Sequence, residues 1–195
     1  MQYYIYSLVC FLLPGTVWLI WNKGMIADKA YKVRHIIWIY IYLFYGYLAV
    51  QEAAGIGTIW DLIAYGKLDN SINLIPISSE GAMTYILNII MFMPLGFLLP
   101  LIWKNFRNAK KVVLMGFLMS LAIEICQLFN IRTTDIDDLL MNTLGTLVGY
   151  CCWKVFSLIF RNAGTKCVEM KKSEPVIYMF GILGLFLLYN WRVFN

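Results

Sequence analysis

Several carboxylates and amides lie within two otherwise apolar stretches of the chain and in the segment that joins them. Glu124 stands in the first stretch, and Asp138 and Asn142 stand at the start of the second. An ionisable side chain inside the hydrocarbon of a membrane costs about 3 kcal/mol or more unless it is paired or hydrated. Carboxylates in such a place can transfer protons or hold a polar group of a ligand. Glu124, Asp138 and Asn142 are therefore candidate catalytic residues.

The elements that must position these residues are transmembrane helices. Of the 195 residues, 61% are hydrophobic and 14% are charged, which leaves too little polar surface for a soluble domain of this size. Stretches long enough to cross about 30 Å of hydrocarbon lie at about 3–21, 35–51, 84–103, 112–131, 137–158 and 176–193. The predicted fold is an all-α integral membrane protein with six transmembrane helices, forming one membrane domain over residues 1–195. A five-span chain with a re-entrant fifth segment is the alternative, because polar residues dilute the fifth stretch.

The distribution of lysine and arginine predicts the orientation. Of the 16 cationic residues, 13 fall in the segments 22–34, 104–111 and 154–174, and cytoplasmic loops carry an excess of such residues. Both termini are therefore predicted to be extracytoplasmic. The first stretch has no basic segment before it and is predicted to be a retained helix. Anionic lipid headgroups account for the net charge of +5, so nucleic acid is not a predicted partner.

Three consecutive spans are predicted to carry polar side chains at one depth. Glu124 lies roughly 20 Å from the inner end of its span at 1.5 Å per residue, which is in the outer half of the bilayer. Asn88 and Asn142 lie at a similar distance below the outer ends of their spans. Gln127 follows Glu124 by three residues and Asn142 follows Asp138 by four, so the members of each pair share a helix face.

The connection between the fourth and fifth spans has two interpretations. Arg132 stands beside three carboxylates, and pairing with one of them would reduce their repulsion at the mouth of a cleft. Alternatively, Thr134 or Asp135 caps the helix that follows, with Asp137 and Asp138 on the positive end of its dipole. Both interpretations remain open for Asp135 and Asp137.

The longest predicted connection, at about 52–83, is extracytoplasmic and is predicted to cover the site. Apolar residues at helical spacing within 56–66 favour a short interfacial helix. Asn73-Leu-Ile-Pro-Ile77 favours an extended return toward the membrane, because proline disfavours helix at the residue before it.

Established catalytic templates are not found in this sequence. It has no H-E-x-x-H motif, no phosphate-binding glycine loop, and no serine or cysteine with a histidine base on the same side. His35, the single histidine, is predicted to be an interfacial residue at the cytoplasmic end of the second span. One chemical hypothesis remains. It is acid/base or divalent-metal chemistry by four carboxylates, those of Glu124, Asp135, Asp137 and Asp138. The residues specify neither a metal nor a cofactor, and both stay unknown.

Five sequence runs, taken together and in order, resemble the VanZ-like family of small bacterial membrane proteins, which is associated with low-level resistance to teicoplanin and related lipoglycopeptides. The runs cover about 73–150 and are Asn73-Leu-Ile-Pro-Ile77, Asn88-Ile-Ile-Met-Phe-Met-Pro-Leu-Gly-Phe-Leu-Leu99, Ser120-Leu-Ala-Ile-Glu-Ile-Cys-Gln127, Arg132-x-x-Asp135-x-x-Asp138 and Asn142-Thr-Leu-Gly-Thr-Leu-Val-Gly149.

The resemblance implies a multi-pass protein of the bacterial cytoplasmic membrane that acts near its outer face. It does not supply a reaction. The polar motif residues that it carries over, besides the three catalytic candidates, are candidate ligand-binding residues: Asn73, Asn88, Gln127, Arg132 and Asp135.

Three functions are compatible with these residues. The first is a protein whose polar cleft binds or modifies an envelope lipid or lipid-linked wall precursor and so reduces lipoglycopeptide action. Membrane lipids or such a precursor, and the lipoglycopeptide itself, are then its expected partners. The second is an enzyme that transfers or hydrolyses a lipid-linked group with Glu124 as base. The third is a non-catalytic scaffold in which the polar residues only hold helices together.

Overall fold

The computed structural model describes residues 2–22, 29–65, 72–73, 75–76, 81–129, 134–160 and 173–194. These residues are almost entirely helical. The α-helices are, in chain order, α1 (Gln2–Trp21), α2 (Lys29–Tyr47), α3 (Ile59–Tyr65), α4 (Ala82–Ile102), α5 (Ala109–Gln127), α6 (Ile136–Ile159) and α7 (Glu174–Leu188). A π-helical segment, Leu48–Ala54, continues α2, and 3₁₀ turns lie at Lys104–Phe106 and Trp191–Phe194. Two short strands, β1 (Ile72–Asn73) and β2 (Thr134–Asp135), pair in parallel.

The all-α membrane fold predicted from composition is confirmed. Each of the six predicted apolar stretches overlaps a helix over most of its described residues. Among the described residues, three helices are long and apolar enough to cross a membrane, at Gln2–Trp21, Lys32–Gln51 and Ala82–Ile102, and α7 is a shorter apolar helix. The helices α5 and α6 reach 19 and 24 residues, but they carry the polar candidates. Crossing of the membrane by all six helices, and the orientation of the termini, stay predictions.

Glycines bring α4 and α6 into backbone contact. A Cβ atom on Gly149 would lie 2.0 Å from the Met93 carbonyl oxygen, and one on Gly145 would lie 2.3 Å from that of Ile89. From the other side, a Cβ atom on Gly96 would lie 1.9 Å from the Thr146 carbonyl oxygen. The small-residue pattern Gly145-x-x-x-Gly149 therefore marks a close helix contact, as such patterns do in membranes.

The remaining long helices pack around this pair. Gly116 of α5 faces the side chain of Thr146 on α6, so α5 also lies close to α6. Gly181 and Gly184 of α7 face the backbone of α1, so α1 and α7 form a second close pair. Many large apolar side chains on the outer surfaces are exposed, as expected for helices that face lipid.

The short helix predicted within 56–66 is confirmed as α3. At its start the carboxylate of Asp61 accepts from both the backbone N–H and the hydroxyl of Thr58, each over 2.8 Å. The indole N–H of Trp60 donates to the Leu187 carbonyl at the end of α7, over 3.1 Å. This helix therefore lies against α7.

His35, which is predicted to be an interfacial residue, packs inside the protein. Its side chain is buried, with 5% of the residue exposed, and its Nε2 lies 2.9 Å from Glu174 Oε1. Burial follows because α7 and the end of α4 cover this part of α2.

Candidate functional site

The start of α6 is built around Asp135. This residue is buried and extended, and its Oδ1 accepts a hydrogen bond from the Asp137 backbone N–H over 2.9 Å. It thereby caps the helix, and the acids at Asp137 and Asp138 lie in the first turn, where the helix dipole stabilises negative charge. The capping interpretation is confirmed for Asp135.

Capping is only part of what Asp135 does. Its second oxygen, Oδ2, accepts from Asn73 Nδ2 over 3.0 Å, and Asn73 lies opposite Asp135 in the β1–β2 pair. Asn73 Oδ1 in turn accepts from the Ile75 backbone N–H over 3.1 Å. The predicted extended conformation is confirmed at Asn73, which lies in β1, whereas Ile75 and Pro76 form a bend and a turn. One carboxylate thus joins β1 to the start of α6.

Glu124 contacts the segment that leads into α6. Its Oε2 accepts from the Asp135 backbone N–H over 3.2 Å, and its backbone carbonyl accepts from the Thr134 hydroxyl over 3.4 Å. Glu124 and Gln127 are both buried. The carboxylate of Glu124 therefore lies beside the cap of α6 and does not face open water.

Two residues of α4 bind the other acids of the first turn of α6. The Tyr85 hydroxyl donates to Asp137 Oδ2 over 2.8 Å, and Asp137 is fully buried. Asn88 Nδ2 donates to Asp138 Oδ1, and this pair is only half-buried. Sequence reasoning predicted Asn88 and missed Tyr85, although the two share a helix face at a spacing of three residues.

Replacing Tyr85 with phenylalanine should lower the free energy of unfolding by about 2 kcal/mol, because a buried carboxylate loses a hydroxyl donor. The exposed Tyr40 provides the matched control, and Tyr40→Phe should leave stability unchanged. Denaturation midpoints in detergent micelles would show the difference. Equal midpoints for the two variants would mean that the Tyr85 hydroxyl does not stabilise Asp137.

Asn142 lies deeper between α5 and α6. Its Nδ2 donates to Ser120 Oγ over 2.9 Å, and its backbone carbonyl accepts from the Thr146 hydroxyl over 3.0 Å. Its side-chain oxygen is buried and has no hydrogen-bond partner among the described residues. Sequence reasoning did not select Ser120, which precedes Glu124 by one helical turn and so shares its face.

The contacts define the relative positions of these groups along the helices. Glu124 lies one turn from Ser120 toward the end of α5, and Asp138 lies one turn from Asn142 toward the start of α6, with about 6 Å of helix in each case. Ser120 and Asn142 are hydrogen-bonded, so Glu124 and Asp138 lie at a similar level. Asn88 shares that level through its bond to Asp138, and Asn142 lies one turn away from it.

The structure thus brings most of the predicted site residues together at one end of the helices. We call this group the polar cluster, and it consists of Asn73, Tyr85, Asn88, Ser120, Glu124, Asp135, Asp137, Asp138 and Asn142. Gln127 is buried one turn beyond Glu124. The predicted Arg132 lies outside the described residues.

The polar cluster has a buried interior and an accessible rim. Glu124, Asp135, Asp137 and Asn142 are buried, whereas Asn88 and Asp138 retain partial exposure. Among the described residues, no three acidic, histidine or cysteine side chains gather closely enough to hold a metal ion. A ligand at the rim would meet the carboxylate of Asp138, and the buried carboxylates lie behind it.

Comparison with known proteins agrees with the five sequence runs. The model of the VanZ/LLP1 family matches residues 4–159. The chain belongs to the VanZ/LLP1 family. The matched region includes α4, α5, α6 and the whole polar cluster, and it ends before α7.

Among curated proteins, the VanZ/LLP1 chain is similar to Protein VanZ of Enterococcus faecium. The two are 33% identical over 133 residues, which is 67% of this chain and 77% of the relative. No solved structure matches the chain.

Proposed function

We propose that this VanZ/LLP1 family member is a multi-pass protein of the bacterial cytoplasmic membrane that reduces susceptibility to teicoplanin and related lipoglycopeptides. In this proposal it binds or modifies an envelope lipid or lipid-linked wall precursor at the polar cluster. The observation that supports it most is that acids and amides from α4, α5 and α6 gather at one end of these helices, and that those of α5 and α6 are mostly buried. The basic segment 104–111 lies at the opposite end, so the polar cluster would face outward.

The energetics of burial support a ligand at this place. Replacing buried charged groups with well-packed apolar ones is often neutral or stabilising by about 1–4 kcal/mol. Helix packing alone therefore does not require Glu124, Asp135 and Asp137 at buried positions. The buried oxygen of Asn142 and the half-buried Asp138 are acceptors that a ligand hydroxyl or amine can use.

A non-catalytic scaffold is the second candidate. The observation that favours it is that the amide of Asn73, the amide of Asn88 and the hydroxyl of Tyr85 all donate to acids within the protein. In such a protein, changes in the polar cluster would lower activity only by lowering folded abundance.

Glu124→Gln tests the proposal, because glutamine keeps an oxygen that accepts from the Asp135 backbone but removes the charge. We expect wild type to protect a sensitive bacterium from teicoplanin and the variant to lose that protection at matched membrane abundance. Vancomycin is the comparison drug. Ile125→Leu, at an exposed neighbouring position, is the control variant and should protect like wild type.

Each other outcome supports or contradicts one of the candidate functions. Equal protection by wild type and Glu124→Gln would make the charge of Glu124 dispensable and would favour the scaffold. Protection by neither would overturn the resistance proposal. An enzyme would also change the envelope lipids, so mass spectrometry should show a species that depends on wild type and is absent with Glu124→Gln.

A further inference from the structure

A second buried polar group lies at the opposite end of the helices from the polar cluster. Glu174, the first residue of α7, is fully buried. Its Oε1 lies 2.9 Å from His35 Nε2 and accepts from the Tyr178 hydroxyl over 3.0 Å. Its Oε2 accepts from the indole N–H of Trp103 over 2.9 Å. We call these four residues the Glu174 clasp.

The clasp fixes the axial position of α7. His35 belongs to α2, Trp103 directly follows α4, and Tyr178 lies one turn further along α7. A shift of α7 by one helical turn would move Glu174 by about 5.4 Å, away from His35 and Trp103 together. A buried carboxylate without its donors is strongly destabilising. Fixing the register of packed helices is the best-attested use of buried polar groups.

The rest of α7 is apolar after its first residues and packs on α1 through glycine. A Cβ atom on Gly184 would lie 2.5 Å from the Cys10 carbonyl oxygen, and one on Gly181 would lie 2.8 Å from that of Phe11. The hydroxyl of Tyr6 on α1 also donates to the Leu188 carbonyl at the end of α7, over 2.6 Å. Glycine packing and this hydrogen bond hold the far half of α7, whereas the clasp holds its beginning.

The other end of α7 contacts the elements beside the polar cluster. The rings of Phe186 and Phe129 meet edge to face, with centroids 4.9 Å apart. Phe129 lies two residues beyond Gln127, at the exit of α5. The end of α7 also binds Trp60 of α3 through the Leu187 carbonyl. The register of α7 therefore decides where Phe186 meets the end of α5 that carries Glu124.

We propose that Glu174 and His35 are positioning residues for the polar cluster. Their buried contact sets the register of α7, and α7 holds the outer end of α5 through Phe186 and Phe129. Glu174 lies beyond residues 4–159, which the family model matches. The structural part of this inference stands alone, whereas its effect on drug susceptibility rests on the proposed function.

Hydrogen exchange of the purified protein in lipid nanodiscs tests the proposal at the far end of α7. We expect Glu174→Ala to speed amide exchange about ten-fold in residues 124–129 and 134–142, because loss of register loosens the end of α5. Leu183→Ala, at an exposed position of the same helix, is the matched control and should leave this exchange unchanged.

A pair of variants distinguishes positioning from general damage. His35→Leu alone should speed exchange in the same peptides, since the buried carboxylate of Glu174 loses a donor. The double variant His35→Leu with Glu174→Gln should restore slow exchange, because the glutamine carries no charge and its oxygen still accepts from the indole N–H of Trp103. Glu174→Gln also serves as the second variant if Glu174→Ala fails to fold.

Two results would overturn the inference. Faster exchange confined to residues near 173–180 would make the clasp a local feature of the inner end. A uniform increase along the whole chain would mean general destabilisation. Teicoplanin protection is measured in parallel. If wild type gives no protection, the proposed function fails while the exchange data still decide the positioning role.

Discussion

Gly149→Ala is expected to leave little folded protein. The new Cβ atom would stand 2.0 Å from the Met93 carbonyl oxygen, and a backbone atom within α4 cannot move aside as a side chain can. The two helices would have to separate, at a cost of about 3 kcal/mol, the upper end of what overpacking usually costs. Size-exclusion profiles and thermal midpoints in detergent measure this loss directly.

Gly81→Ala is the control for that experiment. Gly81 precedes α4 and has ordinary extended dihedrals. No heavy atom of a neighbouring element lies within 4 Å of a Cβ atom built on it. Because Gly81 is the N-cap of α4, where alanine is less favourable than glycine, Gly81→Ala should cost no more than about 1 kcal/mol. A folded Gly149→Ala variant with an unchanged midpoint would show that α4 and α6 do not pack as closely as described.

Asp135→Ala is expected to lower the free energy of unfolding by about 3 kcal/mol. Loss of a helix cap costs about 1 kcal/mol, and loss of a hydrogen bond to a charged group costs about 2 kcal/mol. Asp135 contributes both, through the Asp137 backbone N–H and the side chain of Asn73. Unfolding in micelles by increasing denaturant gives the comparison with wild type.

The contribution of the helix cap to the free energy of unfolding can be separated from that of the Asn73 contact. Asp61 makes a local contact at the start of α3, where it accepts from the backbone N–H and hydroxyl of Thr58, so Asp61→Ala measures the loss of a local contact at a helix start and should cost about 1 kcal/mol. A double-mutant cycle between Asp135→Ala and Asn73→Ala should give a coupling energy above about 1 kcal/mol. Strict additivity in that cycle would mean that the Asn73 contact contributes nothing to stability.

The long helices were predictable because length and hydropathy are properties of contiguous residues. The same holds for the shared helix faces, such as Asp138 with Asn142, since they follow from the helical period. The relative depth of Asn142 was not predictable in this way. It depends on how far the end of α5 reaches along α6, which is set by the Ser120–Asn142 contact.

The periodicity of the sequence could not predict contacts between distant segments. His35 and Glu174 are 139 residues apart, and no spacing rule relates them. The position of His35 at the end of an apolar stretch is typical of an interfacial residue, and only the cover supplied by Trp103 and α7 makes it buried. Tyr85 was missed for the same reason, because its partner Asp137 lies on another helix.

The contact between Asn73 and Asp135 also has a consequence for biosynthesis. The two residues are 62 positions apart, and ribosomes add about 5–20 residues per second. Asn73 is therefore made roughly 3 to 12 s before its partner exists. The parallel pair of Ile72–Asn73 with Thr134–Asp135 therefore forms only after α4 and α5 have been synthesised, and until then the side chain of Asn73 lacks this acceptor.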